Sequence, residues 1–523
     1  MSIKETFLKR LLREWPLAFV FGCIVFMLYP MCHAEFAMID EHGIVEALGR
    51  NNRVGISEIF SLIQDHAFEP KPRFRPGHYV LLYLDVFLIG GNASMWHTDR
   101  LLLALISALA LYLAIRVLLP PFLAGVVTLL FFSGPQNEIW IDLGLSEFYA
   151  VPLLLIGLAW IAVNLGRHNW QPARLFPGFA LLLLTGFIKE SFIPVLPGIL
   201  AFIYVVLPWT IPSIIQDRRR QRPVDILILF FLIIGVGGQV LMVMKILHTY
   251  GHLYGAEIST TSFLYAVKPM LMTYSKATLW FLPVVAGLVV LIPRNWQEWR
   301  EQVWRVDLIK AVVLLTAGAF LILAPQWVIN GGNIFFAGRY LIPGNLFIVL
   351  AAALGFYLLS RKLVDRSLAE LRGVVAGMLI AVALLSVLGT YREAKAVALS
   401  THRFQTKLAE SVQLKKQHPE FPLLFYSTNA LDREPLISVA IFLAAKLPNP
   451  EKPFLNPYSW ETGADSPMKI SLAKLVKKQS LEGDQYFAKI AEFRGSGGRC
   501  IAVLFSGFTE NSRCEYLVRV LES

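Results

Sequence analysis

The sequence predicts a mostly α-helical, polytopic membrane protein with about eleven spans, in-plane helices in the first external loop and a small C-terminal α/β domain outside the membrane. Of the 523 residues, 56% are hydrophobic and 16% are charged, and the mean hydropathy is +0.56. This composition is too apolar for a soluble multidomain protein. The net charge of +11 comes from short basic clusters between apolar runs, which indicates membrane topology and argues against a nucleic-acid partner.

The N-terminal segment combines basic residues with the first apolar run. Lys4, Lys9, Arg10 and Arg13 precede a run over residues 16–31. A secretory signal peptide is the alternative, but no small-residue cleavage site follows clearly. We therefore expect an uncleaved first span with its N-terminus in the cytoplasm.

The helix predicted over residues 77–91 decides the parity of the topology. It is short for the roughly 20 residues that a crossing needs, and it carries Asp85, so we expect it to lie in the interface. The later spans then place the arginine-rich segment 218–222 inside and the acidic loops outside, as the positive-inside rule requires. These spans are predicted over residues 101–119, 122–133, 148–165, 176–188, 192–211, 226–247, 276–292, 308–323, 341–359 and 374–388.

Composition divides the chain into two domains. Residues 1–390 form the membrane domain, with a first external loop over residues 34–100, and residues 391–523 have the polarity of a globular domain outside the membrane. The runs PLLFYS and CIAVLFSG are typical of buried strands, while ISVAIFLAAKL and DQYFAKIAEF have helical spacing. An oxidising compartment would allow Cys500 and Cys514 to form a disulfide; two unpaired buried cysteines are the alternative.

Charged motifs collect on the predicted external face. They are the Asp40-Glu41 pair after the first span, RFRP at residues 73–76, Glu147 at the end of an acidic second loop, Lys189-Glu190 after an apolar helix, and Arg339-Tyr340. Four of these five have a plainer interpretation: a solvated loop at Asp40-Glu41, a helix cap at Glu147, Lys189 and Glu190 paired with each other or reaching the interface, and an interfacial anchor at Arg339.

Together these motifs resemble the GT-C superfamily of membrane glycosyltransferases. Asp40-Glu41 is similar to the acidic pair of protein O-mannosyltransferases and lipid A aminoarabinose transferases. Arg73-Phe74-Arg75-Pro76, with Trp96-His97 further on, is similar to the first-loop region of members that carry an Arg-Pro there. Lys189-Glu190 and Arg339-Tyr340 are similar to two further patterns. The likeness covers residues 1–390.

The resemblance implies transfer of a sugar from a polyprenyl-phosphate donor to a hydroxyl of a lipid, glycan or protein acceptor, on the periplasmic face of a bacterial inner membrane. A phosphate leaving group needs no general acid, so a base and some cations suffice. We predict that Asp40 is the base of an inverting attack and that Glu41 assists or orients the acceptor; Glu41 as the base is the alternative.

The remaining motif residues are predicted to bind the substrates. Arg339, Lys189 and Arg75 offer positive charge to the phosphate, and Glu147, Glu190 and Tyr340 complete the site. The second loop lacks an Asp-x-Asp pattern, so no metal or other cofactor is expected. A membrane transporter or flippase of lipid-linked substrates is the alternative function, and it would show inverted repeats and charges at mid-depth.

Overall fold

The computed structural model describes about half of the chain. The described residues are 14–38, 41–49, 53–67, 75–117, 119–134, 136–167, 171–201, 226–227, 230–250, 339, 342, 344–346, 369–419, 423–427, 433–447, 500–506 and 515–521. They include the first part of the predicted membrane domain, the last predicted span and pieces of the C-terminal part.

Helices dominate these residues. In chain order they are α1 (Trp15–Leu28), α2 (His42–Leu48), α3 (Ile56–Ala67), α4 (Pro76–Ile89), α5 (Ala93–Arg116), α6 (Pro121–Phe132), α7 (Glu138–Ile141), α8 (Ser146–Gly166), α9 (Pro172–Ile188), α10 (Val195–Ala201), α11 (Gly237–Tyr250), α12 (Ala369–Gln417) and α13 (Arg433–Lys446). Short 3-10 helices cover Tyr29–His33 and Glu190–Phe192, and a π-helix covers Phe231–Val236.

Four of the described helical segments are long and apolar enough to cross a membrane: Trp15–His33, Ala93–Arg116, Ser146–Gly166 and Gly377–Gln417. They coincide with the first predicted span and with those at residues 101–119, 148–165 and 374–388, so the chain is an integral membrane protein. The spans predicted at residues 276–292 and 308–323, half of that at 192–211 and most of that at 341–359 lie outside the described residues. The count of eleven and the orientation stay predictions.

Helix α4 is the segment that we expect to lie in the interface. It has 14 residues, or about 21 Å at 1.5 Å per residue, which is less than the ~30 Å hydrocarbon core. Gly90, with φ of 66°, ends the helix in a conformation that glycine adopts without strain. At its other end, Gly77 lies so close to α9 that a Cβ there would be 3.3 Å from the Phe187 carbonyl. The first turn of α4 thus packs directly on the last turn of α9.

Helices α8 and α9 are packed closely through two facing glycines. A Cβ at Gly157 would lie 2.8 Å from the carbonyl oxygen of Gly178, and one at Gly178 would lie 2.9 Å from that of Gly157. Small residues allow helix backbones in a membrane to approach one another in this way. The contact fixes the relative position of Glu147, at the start of α8, and Lys189, directly after α9.

Helix α12 has 49 residues and contains the boundary predicted at residue 391, which no feature of the described residues tests. On the membrane side Tyr391 stacks on Phe26 of α1, with ring centroids 4.5 Å apart. Further along, Phe404 packs on Phe442 of α13. A single helix therefore connects the last span to the C-terminal part.

A three-stranded sheet follows α12. Its strands are β1 (Leu423–Ser427), β2 (Cys500–Ser506) and β3 (Glu515–Leu521), in the order β1-β2-β3, with β1 parallel to β2 and β3 antiparallel to it. Both predicted strand segments, PLLFYS and CIAVLFSG, coincide with β1 and β2, and the ISVAIFLAAKL segment coincides with α13. The DQYFAKIAEF segment and Cys514 lie outside the described residues, so the disulfide stays a prediction.

Candidate active site around the second loop

Glu41 joins the first loop to the second loop, which we define as residues 134–147. The side chain is buried, and the residue is 1% exposed. One carboxylate oxygen accepts the backbone N–H of Ala37 at 2.5 Å, and the other accepts that of Leu143 at 3.0 Å. Gly144 follows with φ of 81°, a left-handed conformation that favours glycine. Glu41 is therefore a fixed carboxylate rather than part of a solvated loop.

Lys189 forms a buried ion pair with Glu147, with side chains that are 4% and 3% exposed. The Ser146 hydroxyl donates a further hydrogen bond to Glu147 at 3.2 Å. Burial of two charges is tolerated when they are paired and hydrogen-bonded. The pair joins the first turn of α8 to the residue that ends α9.

Glu190, the neighbour of Lys189, pairs with Arg75 at 3.1 Å, again with side chains mostly buried. The alternative in which Lys189 and Glu190 pair with each other is thus not the arrangement observed. Each pairs with a residue of a different segment, so the two adjacent charges hold the start of α4 and the start of α8 near one another.

Arg339 lies against the second loop. Its Nη1 is 3.4 Å from an oxygen of Glu138, and its backbone N–H donates to the other oxygen at 3.5 Å. The side chains of Arg339 and Glu138 are 18% and 25% exposed, so this pair is more accessible than the other two. Asp40, Arg73 and Tyr340 lie outside the described residues.

The second loop is the common partner of these segments. Glu138, the backbone of Leu143, and Glu147 bind Arg339, Glu41 and Lys189 respectively. The loop is held from α12 as well, because Asn137 donates to Glu393 at 2.8 Å. Of the predicted site residues, the network brings together the following six: Glu41, Arg75, Glu147, Lys189, Glu190 and Arg339.

A second polar group, which the sequence motifs did not indicate, lies beside this network. Arg100 of α5 is 1% exposed, with its guanidinium carbon 3.2 Å from the ring centroid of Phe148. Tyr149 donates a hydrogen bond to Asp85 at 2.6 Å. An arginine within an apolar helix is costly unless it is paired, and that signal was present in the sequence.

Metal ligation has no support within the described residues. No group of three or more His, Cys, Asp or Glu side chains there could hold a metal ion. Transfer without a metal stays a prediction.

Comparison with known proteins gives a structural likeness at low identity. No family model and no curated protein matches the sequence. The chain is similar to the crystal structure of ArnT from Cupriavidus metallidurans bound to undecaprenyl phosphate, with 13% identity, coverage of 96% of this chain and 98% of that chain, and a TM-score of 0.42. It is also similar to the crystal structure of ArnT from the same organism in the apo state, with 14% identity, coverage of 96% of this chain and 97% of that chain, and a TM-score of 0.44.

Proposed function

We propose that this chain is an integral membrane glycosyltransferase that moves a sugar from a polyprenyl-phosphate donor to a hydroxyl of a lipid, glycan or protein acceptor on the periplasmic face. One observation carries the proposal. Charged motifs from widely separated parts of the chain meet through the second loop, which binds Glu41, Lys189 and Arg339. Sugar transfer from a phosphate donor needs such a group of carboxylates and cations.

Asp40 is the proposed general base, and Glu41 the residue that holds its loop. Glu41 is 1% exposed, and each of its carboxylate oxygens already accepts a backbone N–H, so Glu41 holds the loop in place and is not positioned to contact an acceptor hydroxyl. The proton of the acceptor hydroxyl therefore goes to Asp40 while the hydroxyl oxygen attacks the anomeric carbon and the phosphate leaves, with inversion.

Arg75, Lys189 and Arg339 are the proposed counter-charges for the phosphate. Each already faces a carboxylate, which keeps the site close to neutral before the donor binds. A guanidinium carries five N–H donors and can hold a carboxylate and a phosphate together. A lysine is a point charge, so Lys189 would share its ammonium between Glu147 and the phosphate. Glu190 and Tyr340 complete the proposed site.

The test is transfer by purified protein in nanodiscs, with radiolabelled polyprenyl-phosphate sugars and a membrane extract as acceptor. We expect Asp40→Asn to lower the rate about 100-fold or more while donor binding persists, because loss of a general base has effects of that size. Glu58→Gln is the matched control, since Glu58 is an exposed carboxylate of the same loop.

Equal transfer by wild type and Asp40→Asn would remove Asp40 from the proposed role. Wild-type protein that transfers no sugar, but moves labelled lipid across vesicles, would contradict the transferase and favour the transporter.

A further inference from the structure

Arg100 is a buried charge that the proposed chemistry does not use. It is 1% exposed, and its Nε and Nη1 atoms have no hydrogen-bond partner among the described residues. A guanidinium in such a place is unfavourable unless other contacts compensate for its lost hydration.

Aromatic rings provide part of this compensation, and the carboxylates of Asp85 and Asp99 provide the rest through their electrostatic attraction to the guanidinium. The guanidinium carbon lies 3.2 Å from the ring centroid of Phe148, 5.0 Å from that of Tyr149 and 5.6 Å from that of Trp96. A cation over an aromatic face is attracted by the ring quadrupole, and the effect is larger when water is excluded. Arg100 also donates from Nη2 to the Tyr149 hydroxyl at 3.4 Å.

These contacts act on the turn that carries Glu147. Phe148 and Tyr149 directly follow Glu147 in the first turn of α8. The Tyr149 hydroxyl donates to Asp85 at 2.6 Å, so the same turn is also held by α4.

The contacts close a path through three segments: α4, the Lys189-Glu190 segment and α8. Helix α4 begins just after Arg75, which pairs with Glu190. Glu190 adjoins Lys189, and Lys189 pairs with Glu147 of α8. Arg100 of α5 contacts Phe148 and Tyr149 in the turn of α8 at which this path ends.

We propose that Arg100 is a positioning residue: stacked on Phe148 and bonded to Tyr149, it fixes Glu147 and thereby the Lys189 ammonium that faces the donor phosphate. This inference rests on the proposed function. The requirement is for a planar guanidinium that stacks and donates together, which a lysine ammonium does not reproduce.

The experiment compares Arg100→Met and Arg100→Lys with Arg116→Met. Arg116 lies at the other end of the same helix and pairs with Glu14 at 3.0 Å, so it is a control for loss of an arginine from α5. We expect Arg100→Met to raise the KM for the donor about tenfold, with a smaller change in kcat, as for loss of a charge-assisted contact to the phosphate. We expect Arg100→Lys to raise the donor KM almost as much as Arg100→Met does.

A double-mutant cycle tests the route through Lys189. If Arg100 acts by placing Lys189, adding Arg100→Met to Lys189→Met should raise the donor KM no further than Lys189→Met alone. A double variant whose donor KM is raised by the product of the two single-variant factors would overturn the proposal. If Arg100→Met does not fold, Tyr149→Phe replaces it in the cycle with Lys189→Met, since it removes only the hydroxyl that Arg100 contacts.

Wild-type activity separates the two hypotheses. If wild type transfers sugar and the Arg100 variants keep the wild-type donor KM, the positioning role is wrong and the transferase stands. If wild type transfers none, the proposed function fails, and thermal unfolding decides whether Arg100 holds Glu147. Non-additive shifts for Arg100→Met and Glu147→Gln would support that contact, and additive shifts would contradict it.

Discussion

At the scale of single residues, three cations of the candidate site are each compensated by a carboxylate from another part of the chain. The pairs are Arg75 with Glu190, Lys189 with Glu147, and Arg339 with Glu138. An unpaired charge close to a membrane interior is costly, so a site that is to bind a phosphate must be kept neutral when it is empty. The carboxylates therefore stabilise the fold by neutralising these cations. They affect phosphate binding only through the positions of the cations with which they pair.

Glu41→Gln should destabilise the protein. Glutamine offers one oxygen and one amide group where Glu41 offers two oxygens to the N–H groups of Ala37 and Leu143. One buried N–H would then face another donor, at a cost of about 1–3 kcal/mol. Thermal unfolding in detergent measures this, and we expect a lower midpoint than for wild type.

Glu410→Gln is the control for this change, because Glu410 is exposed and pairs only with nearby Lys407 in its described contact. Its midpoint should stay within error of wild type. A Glu41→Gln protein that unfolds at the wild-type temperature but has lost transfer would instead make Glu41 a direct participant in the reaction.

At the scale of helices, the contact between α8 and α9 places the two halves of the Glu147–Lys189 pair. Gly157 and Gly178 set the separation of the two backbones. Since the helices are rigid, a displacement at the glycines is transmitted to Glu147 at the start of α8 and to Lys189 at the end of α9. The ion pair depends on residues several turns away.

Gly157→Ala should separate α8 from α9. Its Cβ would lie 2.8 Å from a backbone oxygen, which cannot move as a flexible side chain can. We expect a loss of about 1–3 kcal/mol, as for other overpacked cores, with weaker binding of the donor. Thermal unfolding and a donor-binding titration measure the two effects.

Gly22→Ala is the matched control for Gly157→Ala. Gly22 lies within α1, and a Cβ there would meet no atom within 4 Å. The same change should be neutral or slightly stabilising, since alanine favours helix over glycine. Equal destabilisation by both substitutions would show that the close contact between α8 and α9 is not the cause.

At the scale of the molecule, α12 links the C-terminal part to the loop that carries Asp40 and Glu41. With 49 residues it extends over roughly 70 Å. Thr401 accepts a hydrogen bond from the backbone N–H of Glu35 at 3.1 Å, and Gln405 donates to the carbonyl of Phe36 at 2.8 Å. The start of the first loop is therefore held by a helix more than 350 residues away in sequence.

Gln405→Leu should slow transfer with little effect on donor affinity. Gln405 donates to Phe36 and accepts from Lys446 at 3.1 Å, and leucine does neither. The first loop would lose an anchor, whereas the cations of the second loop keep their partners. We expect a lower kcat, by about tenfold if one or two hydrogen bonds are lost, and an unchanged donor KM.

Thr406→Val is the control for Gln405→Leu. Thr406 is the next residue of α12, is exposed, and donates only to the His402 carbonyl of its own helix among the described contacts. Its kcat should equal that of wild type. A Gln405→Leu variant with raised donor KM and normal kcat would contradict the assignment of the first loop to the chemical step.

The sequence by itself determined the membrane class, the position of four spans and the residues that carry charge at loop ends. These are local properties, because hydropathy summed over about 20 residues decides whether a segment can cross a bilayer. It did not determine the partners of the charges. Lys189 pairs with Glu147 and not with its neighbour Glu190. Arg75 pairs with Glu190, which is 115 residues away, and Arg339 pairs with Glu138, which is 201 residues away.

Only the tertiary structure decided those partners, because they depend on how the helices pack. The facing glycines of α8 and α9, the contact of Gly77 with α9, and the stacking of Arg100 on Phe148 bring distant segments together, and no periodicity in the sequence encodes such distances. The sequence also did not predict that α12 continues past residue 391. The composition of the chain becomes more polar where it leaves the predicted membrane, but the backbone remains a continuous α-helix there.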